Sequence, residues 1–164
     1  MFAVPFDEIA PIVDRSPDAA RQLASRGRRR LRGSVPPADP DRARQREVVD
    51  AFAAAAREGD FEALVAVLDP EVVFRIDSGD LPGAPSREVY GARRVAKHAL
   101  TFGAPFAPFA RPALVNGAPG FVIVRAGRLA SVAGFVVNDG RIVEIDVLAD
   151  SRRLGHIDLT MLET

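Results

Sequence analysis

Four short apolar runs, separated by very short turns, restrict the possible folds of this sequence more strongly than any other feature. The runs have lengths typical of strands and cover 110–116, 120–126, 129–137 and 141–148. The turns between them contain Asn116-Gly117, Ala126-Gly127 and Asn138-Asp139-Gly140, of which the last is a strong hairpin signal. Because short turns join neighbouring antiparallel strands, the sequence predicts an antiparallel meander in its second half.

Patterns typical of helices precede this meander. Apolar spacing predicts a helix from Val48 that ends at Gly59, a helix from Phe61 that Pro70 stops, a strand over 71–77, a Gly/Pro-rich loop over 78–86, and a helix over 91–102. A polar helix or tail follows the last strand over 150–162. Helices followed by a meander predict an α+β fold with helices on one face of a curved antiparallel sheet.

A proline-rich segment divides the chain and its charge. Residues 34–40 contain three prolines, so we predict a linker over 34–43 between a short unit, 1–33, and a domain over 44–164. The whole chain has 22 basic and 22 acidic residues, but 1–33 has seven Arg against four acids and 44–164 has 14 bases against 16 acids. Such a division is typical of a basic nucleic-acid-binding element joined to a neutral or acidic domain, although a solvated Arg-rich helix end gives the same charge.

The basic unit has the pattern of a helix-turn-helix. Apolar residues at helical spacing from Phe6 to Val13 predict a first helix, and Ser16 and Pro17 are good starting residues for a second helix that Gly33 ends. Side chains suited to base edges and phosphates would then lie on the outer face of the second helix, at Arg21, Gln22, Ser25 and Arg26. A helical hairpin that packs on a neighbouring domain has the same pattern.

Composition excludes several classes of site. The chain has no Cys, which excludes a disulfide scaffold, a thiolate zinc site and a Cys nucleophile. Its two histidines, His98 and His156, are far apart in the sequence, so we expect no metal site and no cofactor. No apolar run approaches the ~18–20 residues of a membrane helix, and we expect no membrane partner.

The basic unit resembles region 4.2 of bacterial sigma factors. The resemblance rests on Pro5-Phe6-Asp7-Glu8-Ile9-Ala10, Arg15-Ser16-Pro17 and Arg21-Gln22-Leu23-Ala24-Ser25-Arg26 with Arg28-Arg29-Arg30. It is closest to the extracytoplasmic-function (ECF) class that carries a C-terminal SnoaL-like extension. The larger domain resembles that extension at Val48-Val49-Asp50-Ala51-Phe52, Arg57-Glu58-Gly59-Asp60-Phe61, Val115-Asn116-Gly117-Ala118-Pro119-Gly120 and Gly140-Arg141-Ile142-Val143-Glu144-Ile145. The resemblance implies the SnoaL-like cone of the nuclear transport factor 2-like fold.

For the basic unit, the resemblance implies recognition of the minus-35 promoter element and contact with the RNA polymerase core in the cytoplasm. The DNA-facing residues would be Arg21, Gln22, Ser25, Arg26 and Arg28. Region 2 and the front half of region 4 have no counterpart in this sequence. We therefore expect that Met1 does not begin the whole factor, and that this chain alone does not initiate transcription.

For the larger domain, the resemblance implies regulation through an intramolecular contact with the missing sigma regions. We expect the loop 78–86 and the tail 150–154 to form that contact. The family's Asp-Gly-Gly-Gly-basic motif is reduced here to Asp77-Ser78-Gly79-Asp80, and its Asn-Pro-Asp-Lys-Leu motif to Ala149-Asp150-Ser151-Arg152-Arg153-Leu154. A homodimer through the open sheet face is a further possibility.

An enzyme, or a stand-alone small-molecule-binding domain, is the alternative. Proton transfer needs a base in an apolar pocket, and the candidates are Asp77, Tyr90, His98, Asn116, Glu144 and Asp146. In SnoaL-type cyclases, the last strand has a sequence similar to Gly-Lys-Ile-Val-Glu-His-Trp-Asp. This chain has Ile145 and Val147 at the positions of that His and Asp. Because adjacent strand residues face opposite sides, Asp146 does not replace the lost base, and no catalysis is expected. Asp77, His98, Asn116 and Asp146 remain candidates for a pocket or regulatory role.

Overall fold

The computed structural model describes residues 40–79 and 86–157. Its helices are α1 (Arg42–Glu58), α2 (Phe61–Val67), α3 (Ala92–His98) and α4 (Ser151–Leu154). Its strands are β1 (Leu68–Asp77), β2 (Arg87–Tyr90), β3 (Ala110–Val115), β4 (Ala118–Arg125), β5 (Arg128–Asn138) and β6 (Arg141–Leu148). A π-helical turn (Ala99–Gly103) and a 3-10 segment (Ala104–Phe109) connect α3 to β3.

The six strands form one sheet in the order β2-β1-β6-β5-β4-β3. The predicted meander is present as β3 to β6, with every neighbouring pair antiparallel. The prediction of a fully antiparallel sheet is wrong at one place, because β1 pairs with β6 in parallel, with Arg75 opposite Asp146. A parallel pair needs a long connection, and here all the elements from β2 to β5 lie between the two strands. The predicted fold class, an α+β cone of a curved sheet with helices, is confirmed.

The three turns of the meander have the backbone conformation that their sequences predict. Positive φ angles occur at both residues of each turn: 51° and 78° at Asn116-Gly117, 50° and 71° at Ala126-Gly127, and 50° and 72° at Asp139-Gly140. This geometry matches the twist of the flanking strands, which is why two-residue hairpin loops favour it. Local sequence therefore determines where the turns lie, whereas irregularities between Ile123 and Val124 and between Val136 and Val137 shift the register within the strands.

Capping residues next to helices α1 and α2 determine where these helices begin and where α1 ends. The Asp41 carboxylate accepts from the backbone N–H of Ala43 at 2.9 Å, and Gly59 ends α1 in the left-handed conformation at φ 72°. The apolar residues of both helices pack on one face of the sheet and form the core with it. Its largest fully buried side chains are Val49, Leu64, Leu68, Val72, Val95, Val137, Ile142 and Ile145.

Three local features differ from the sequence prediction. Strand β1 begins at Leu68, before Pro70, and β2 was not predicted. Helix α3 ends at His98, and the predicted helical stretch to 102 continues as the π-helical turn. Strand β2 has only four residues and is held by pairing with β1, a tertiary contact that its own sequence does not encode.

Several predictions fall outside the described residues. These are residues 34–39 of the linker, the helix-turn-helix with Arg21, Gln22, Ser25, Arg26 and Arg28, most of the loop 78–86, and the tail from residue 158 onward. Residues 42 and 43, which were predicted to belong to the linker, instead begin α1. In the part of the chain that the structure describes, no helix combines the length and the apolar character needed to cross a membrane.

Candidate functional site

An apolar cavity of about 250 Å³ lies between the sheet and the helical layer. Its walls come from α1, from the segment that connects α3 to β3, and from the face of the sheet that α1 covers. The described residues that line it are Phe52, Ala53, Ala56, Phe74, Ile76, His98, Ala99, Phe102, Gly103, Phe106, Ala107, Ala110, Phe121, Ile123, Ala130, Ser131, Ala133, Phe135, Ile145, Val147 and Ala149. Among these, His98 and Ser131 alone carry polar side chains.

His98, the last residue of α3, stands in the wall of this cavity between two aromatic rings. Its ring centroid lies 4.7 Å from that of Phe74 and 4.8 Å from that of Phe102. Burial lowers the pKa of His98 below its usual range, and the nearby charge of Arg87 lowers this pKa further. The ring is therefore neutral at pH 7 and offers one donor and one acceptor nitrogen rather than a positive charge.

The segment from Ala99 to Phe109 forms an apolar rim that has no charged residue. The side chains of Phe102 and Phe106 line the cavity, although these residues are 53% and 41% exposed. The π-helical turn places Phe102 and Gly103 here, and such turns are frequent at functional sites. Exposed aromatic residues that also line a cavity indicate an apolar entrance.

Strand β6 separates its acidic side chains from this cavity. Ile145 and Val147 line the cavity, whereas the intervening Asp146 has a side chain that is 55% exposed. The two positions that hold His and Asp in SnoaL-type cyclases thus carry aliphatic side chains here. The alternation of faces predicted from the sequence is confirmed, and it takes the carboxylate of Asp146 out of the cavity.

The opposite face of β1 and β6 carries a cluster of charges centred on Arg75. Its guanidinium Nη1 lies 2.7 Å from Glu144 Oε1 and 3.4 Å from Asp146 Oδ1, and its Nε lies 3.4 Å from Glu88 Oε1. Burial, with the neighbouring carboxylate of Asp146, raises the pKa of Glu144 to about 7, although Arg75 acts in the opposite direction. One arginine side chain thus forms ion pairs with three carboxylates.

A second group of polar contacts, which we call the clasp, joins the end of β1 to α4. It consists of Asp77, Gly79, Asp150 and Arg153. Arg153 Nη1 lies 2.7 Å from Asp77 Oδ2, and Arg153 Nε lies 3.7 Å from Asp150 Oδ2. The other oxygen of Asp77, Oδ1, accepts from the backbone N–H of Gly79 at 3.0 Å. The clasp brings together remnants of the two family motifs that are far apart in the sequence.

Gly79 is required for the geometry of the clasp. Its φ angle is 57°, and a Cβ at this position would lie 2.6 Å from Cγ of Asp150. Gly127 has a similar φ angle of 71°, but a Cβ there would meet nothing within 4 Å. Both glycines have a positive φ angle that other residues rarely adopt. Of the two, only Gly79 also lies so close to a side chain of the clasp that a Cβ would clash with it.

The candidate residues predicted from the sequence occupy separate places. His98 lines the cavity, and Asp77 belongs to the clasp. Glu144 and Asp146 lie together beside Arg75 on the opposite face. Asn116 occupies a hairpin turn, where its conformation explains its presence. Tyr90 is exposed, and its hydroxyl donates to the carboxylate of Glu88. The described residues therefore do not assemble these candidates into one acid–base site.

Arg75 and Arg153 are functional candidates that the sequence reasoning missed. The signal for Arg153 was present, because it lies in the remnant of the second family motif. No local pattern indicates Arg75, whose three carboxylates lie on β2 and β6. Within 40–79 and 86–157, no group of three or more His, Cys, Asp or Glu side chains has a geometry that suits a metal ion.

Comparison with known proteins gives three informative similarities, although no family model matches the chain. The ECF RNA polymerase sigma factor SigJ of Mycobacterium tuberculosis is 38% identical over 154 residues, which cover 89% of this chain and 47% of SigJ. The probable ECF RNA polymerase sigma factor SigI of M. tuberculosis is 30% identical over 157 residues, which cover 96% of this chain and 52% of SigI.

The third similarity is structural. The crystal structure of M. tuberculosis SigJ matches with a TM-score of 0.59 and 32% identity, over 93% of this chain and 55% of that chain. This chain thus spans about half the length of the curated relatives it matches. The resemblance to ECF sigma factors predicted from the sequence is confirmed.

Proposed function

Because this chain is similar over most of its length to ECF RNA polymerase sigma factors, we propose that it acts in transcription initiation as the C-terminal part of such a factor. In this role residues 1–33 recognise the minus-35 element, and the SnoaL-like domain over 44–164 regulates the factor. The partners are the RNA polymerase core, promoter DNA and the sigma regions that this sequence lacks, all in the cytoplasm. The clasp is the observation that carries the regulatory part of the proposal.

The clasp supports regulation because it holds together the beginning and the end of the predicted contact surface. Asp77 lies immediately before the loop 78–86, and Asp150 and Arg153 belong to the tail 150–154. The backbone N–H of Ala149 also donates to the backbone oxygen of Asp77 at 2.7 Å. Asp77 and the first residues of the tail therefore lie side by side, and the charges of the clasp fix their relative position.

The experiment is transcription in vitro from the cognate promoter, with polymerase core and this chain joined to the protein sequence encoded upstream of Met1. Gly79→Ala places a methyl group against Asp150, and Arg153→Ala removes the cation of the clasp. We expect each variant to change the initiation rate at least threefold, because the contact surface loses its geometry. Gly127→Ala is the matched control, since it imposes the same backbone strain at a turn remote in sequence from the clasp.

Unchanged initiation rates in both clasp variants, with the control also unchanged, would remove the clasp from the regulatory proposal. Circular dichroism melts of the variants check that each one folds. An upstream sequence that encodes no sigma region 2 would contradict the wider proposal.

For promoter recognition, we propose that Arg21, Gln22, Ser25, Arg26 and Arg28 face the minus-35 DNA, with Arg21 making a bidentate base contact. Such a contact contributes about 1–3 kcal/mol of discrimination, or roughly 5- to 150-fold. Arg21→Ala should therefore reduce the ratio of binding to the cognate and a mutated minus-35 element by that factor. Arg32 belongs to the arginine-rich end of the predicted second helix, for which we propose contacts with phosphates or polymerase. If it contacts a phosphate, Arg32→Ala should weaken both complexes equally and lower the salt dependence. An unchanged ratio for Arg21→Ala would exclude Arg21 from the site.

We also propose that the cavity performs no catalysis. Its described lining contains no carboxylate, and the acids of β6 lie on the other face of the sheet. His98 is a neutral ring between two phenyl rings, and the described lining has no carboxylate to orient it. Both named relatives are sigma factors rather than enzymes of the SnoaL type, which supports this proposal.

A further inference from the structure

The cavity in the cone has the size of a small organic molecule. Apolar cavities of about 150 Å³ hold one benzene ring. At the same filling, the present volume of about 250 Å³ accommodates roughly ten non-hydrogen atoms. This size suits a fused pair of rings or a compact branched hydrocarbon, and it excludes a peptide helix, whose diameter is about 10–12 Å.

The lining of the cavity selects against charge. The described wall residues include no Arg, Lys, Asp or Glu, and the one titratable ring, His98, is held neutral by burial and by Arg87. Arg87 lies at the entrance, where its guanidinium carbon is 5.4 Å from the ring centroid of Phe102. A carboxylate in this space would lose its hydration, which is costly, and would find no cation among the described lining residues. The occupant is therefore neutral.

The position of His98 adds one specific requirement. It is a polar group in a largely apolar wall, and the rings of Phe74 and Phe102 fix its plane. A few polar groups in an apolar pocket usually determine the orientation of a ligand. A hydroxyl or carbonyl on the occupant can pair with a His98 nitrogen, whereas a plain hydrocarbon makes no such hydrogen bond.

We propose that the cone binds a neutral, largely apolar compound of about ten non-hydrogen atoms, oriented by one hydrogen bond to His98 and entering past Phe102 and Phe106. The exposed rims of these two phenylalanines provide an apolar surface that such a compound contacts before it enters. The binding itself does not depend on a role in transcription, so it can be tested without polymerase or DNA.

Naphthalene, 2-naphthol and 2-naphthoate serve as probes for the complete 164-residue chain, because they share one ring system and differ in the polarity of the substituent. We expect 2-naphthol to bind one to one with a Kd of roughly 1–100 µM, as measured by calorimetry at pH 7. Naphthalene should bind about fivefold more weakly because it lacks the hydrogen bond. The anion 2-naphthoate should bind at least about 100-fold more weakly than 2-naphthol because its charge is desolvated without a partner.

Two alanines on the same helix provide matched variants. Ala53 lines the cavity, whereas Ala51 is exposed and does not line it. Ala53→Leu fills part of the cavity and should weaken 2-naphthol binding at least about tenfold, while Ala51→Leu should leave the affinity within about twofold. His98→Leu should make the affinities for 2-naphthol and naphthalene equal. Melting curves of each variant establish that it is folded.

Methyl NMR locates the probe within the protein. Resonances of Ala133, Ile145 and Val147 should move on addition of 2-naphthol, because these residues line the cavity, and those of Ala113 and Val132 should not. The proposal is overturned by absence of saturable binding, by tight binding of 2-naphthoate, or by equal affinities of Ala53→Leu and Ala51→Leu. Cavity methyl shifts that depend on protein concentration without probe would show that a second copy occupies the cavity, which also contradicts it.

Discussion

The two faces of the sheet differ sharply in what they bury. The face toward the helices carries phenylalanines, aliphatic side chains and the apolar cavity, with His98 and Ser131 as the polar members of its described wall. The opposite face of β1 and β6 buries Glu144 beside Arg75. Because β6 contributes alternate residues to both faces, one strand supplies the walls of a binding space and the acids of an ion cluster.

This difference separates the apolar cavity from the buried carboxylate of Glu144 within one domain. Of the candidate carboxylates, Glu144 and Asp146 lie on the face away from the cavity and pair with Arg75, whereas Asp77 pairs with Arg153. The cavity keeps an uncharged interior that suits an apolar occupant. Three predictions test whether substitutions on the two faces change the free energy of unfolding by different amounts.

The largest effect is expected from truncation on the cavity face. Ile145 is 2% exposed, so Ile145→Ala should lower the free energy of unfolding by about 2–4 kcal/mol through lost burial and an enlarged cavity. Asp146→Ala, at the adjacent position on the other face, should change it by less than about 0.5 kcal/mol. Urea denaturation of both variants checks the difference. Similar values would mean that the two faces are equally tightly packed.

An intermediate effect is expected when the central cation of the charged face is removed. Arg75→Ala leaves Glu144 without its partner at 2.7 Å and should destabilise the fold by about 1–2 kcal/mol at neutral pH. The same substitution in a Glu144→Gln background should cost less than about 0.5 kcal/mol. A double-mutant cycle measures this coupling. Additive effects would show that the pair contributes no coupling energy.

The smallest effect concerns pH. Glu144 has a pKa of about 7 in the folded protein, above the ordinary value of 4.5 for a Glu side chain in the unfolded chain. Between these two pKa values the folded protein binds more protons than the unfolded chain, so the free energy of unfolding should fall as pH rises. Solvent near Arg75 and Asp146 limits the decline to roughly 1 kcal/mol. Glu144→Gln should abolish it in denaturation series from pH 4 to 8.

Asp146→Asn provides the control for the pH prediction. Removal of this neighbouring carboxylate lowers the pKa of Glu144, so the decline should move to lower pH. A decline that persists unchanged in Glu144→Gln would assign it to another group.

The meander was predictable from the sequence because its determinants are local. Turn residues such as Asn116-Gly117 and Asp139-Gly140 require positive φ angles, and the strand lengths between them follow from where those turns lie. The opposite faces of Ile145 and Asp146 were also predictable, because strand alternation follows from backbone geometry alone. Gly59 likewise determined the end of α1 through its left-handed conformation.

The parallel pairing of β1 with β6 was not predictable in this way, because no turn connects these strands and their contact depends on closure of the whole sheet. The same pairing places Arg75 next to Glu144 and Asp146, and it brings the ends of the two strands close enough for Asp77 to meet Arg153. Strand β2 and the neutral state of His98 also depend on surroundings distant in the sequence.

The sequence by itself determined the fold class, the meander and the resemblance to ECF sigma factors, since these depend on residue types and spacings along the chain. The tertiary structure alone decided which polar residues meet. Asp77 and Arg153 join in the clasp, Glu144 is buried against Arg75, and His98 faces an apolar cavity. The physical reason is that hydrogen bonds, ion pairs and desolvation act over a few ångströms, and only the folded chain determines which groups approach so closely.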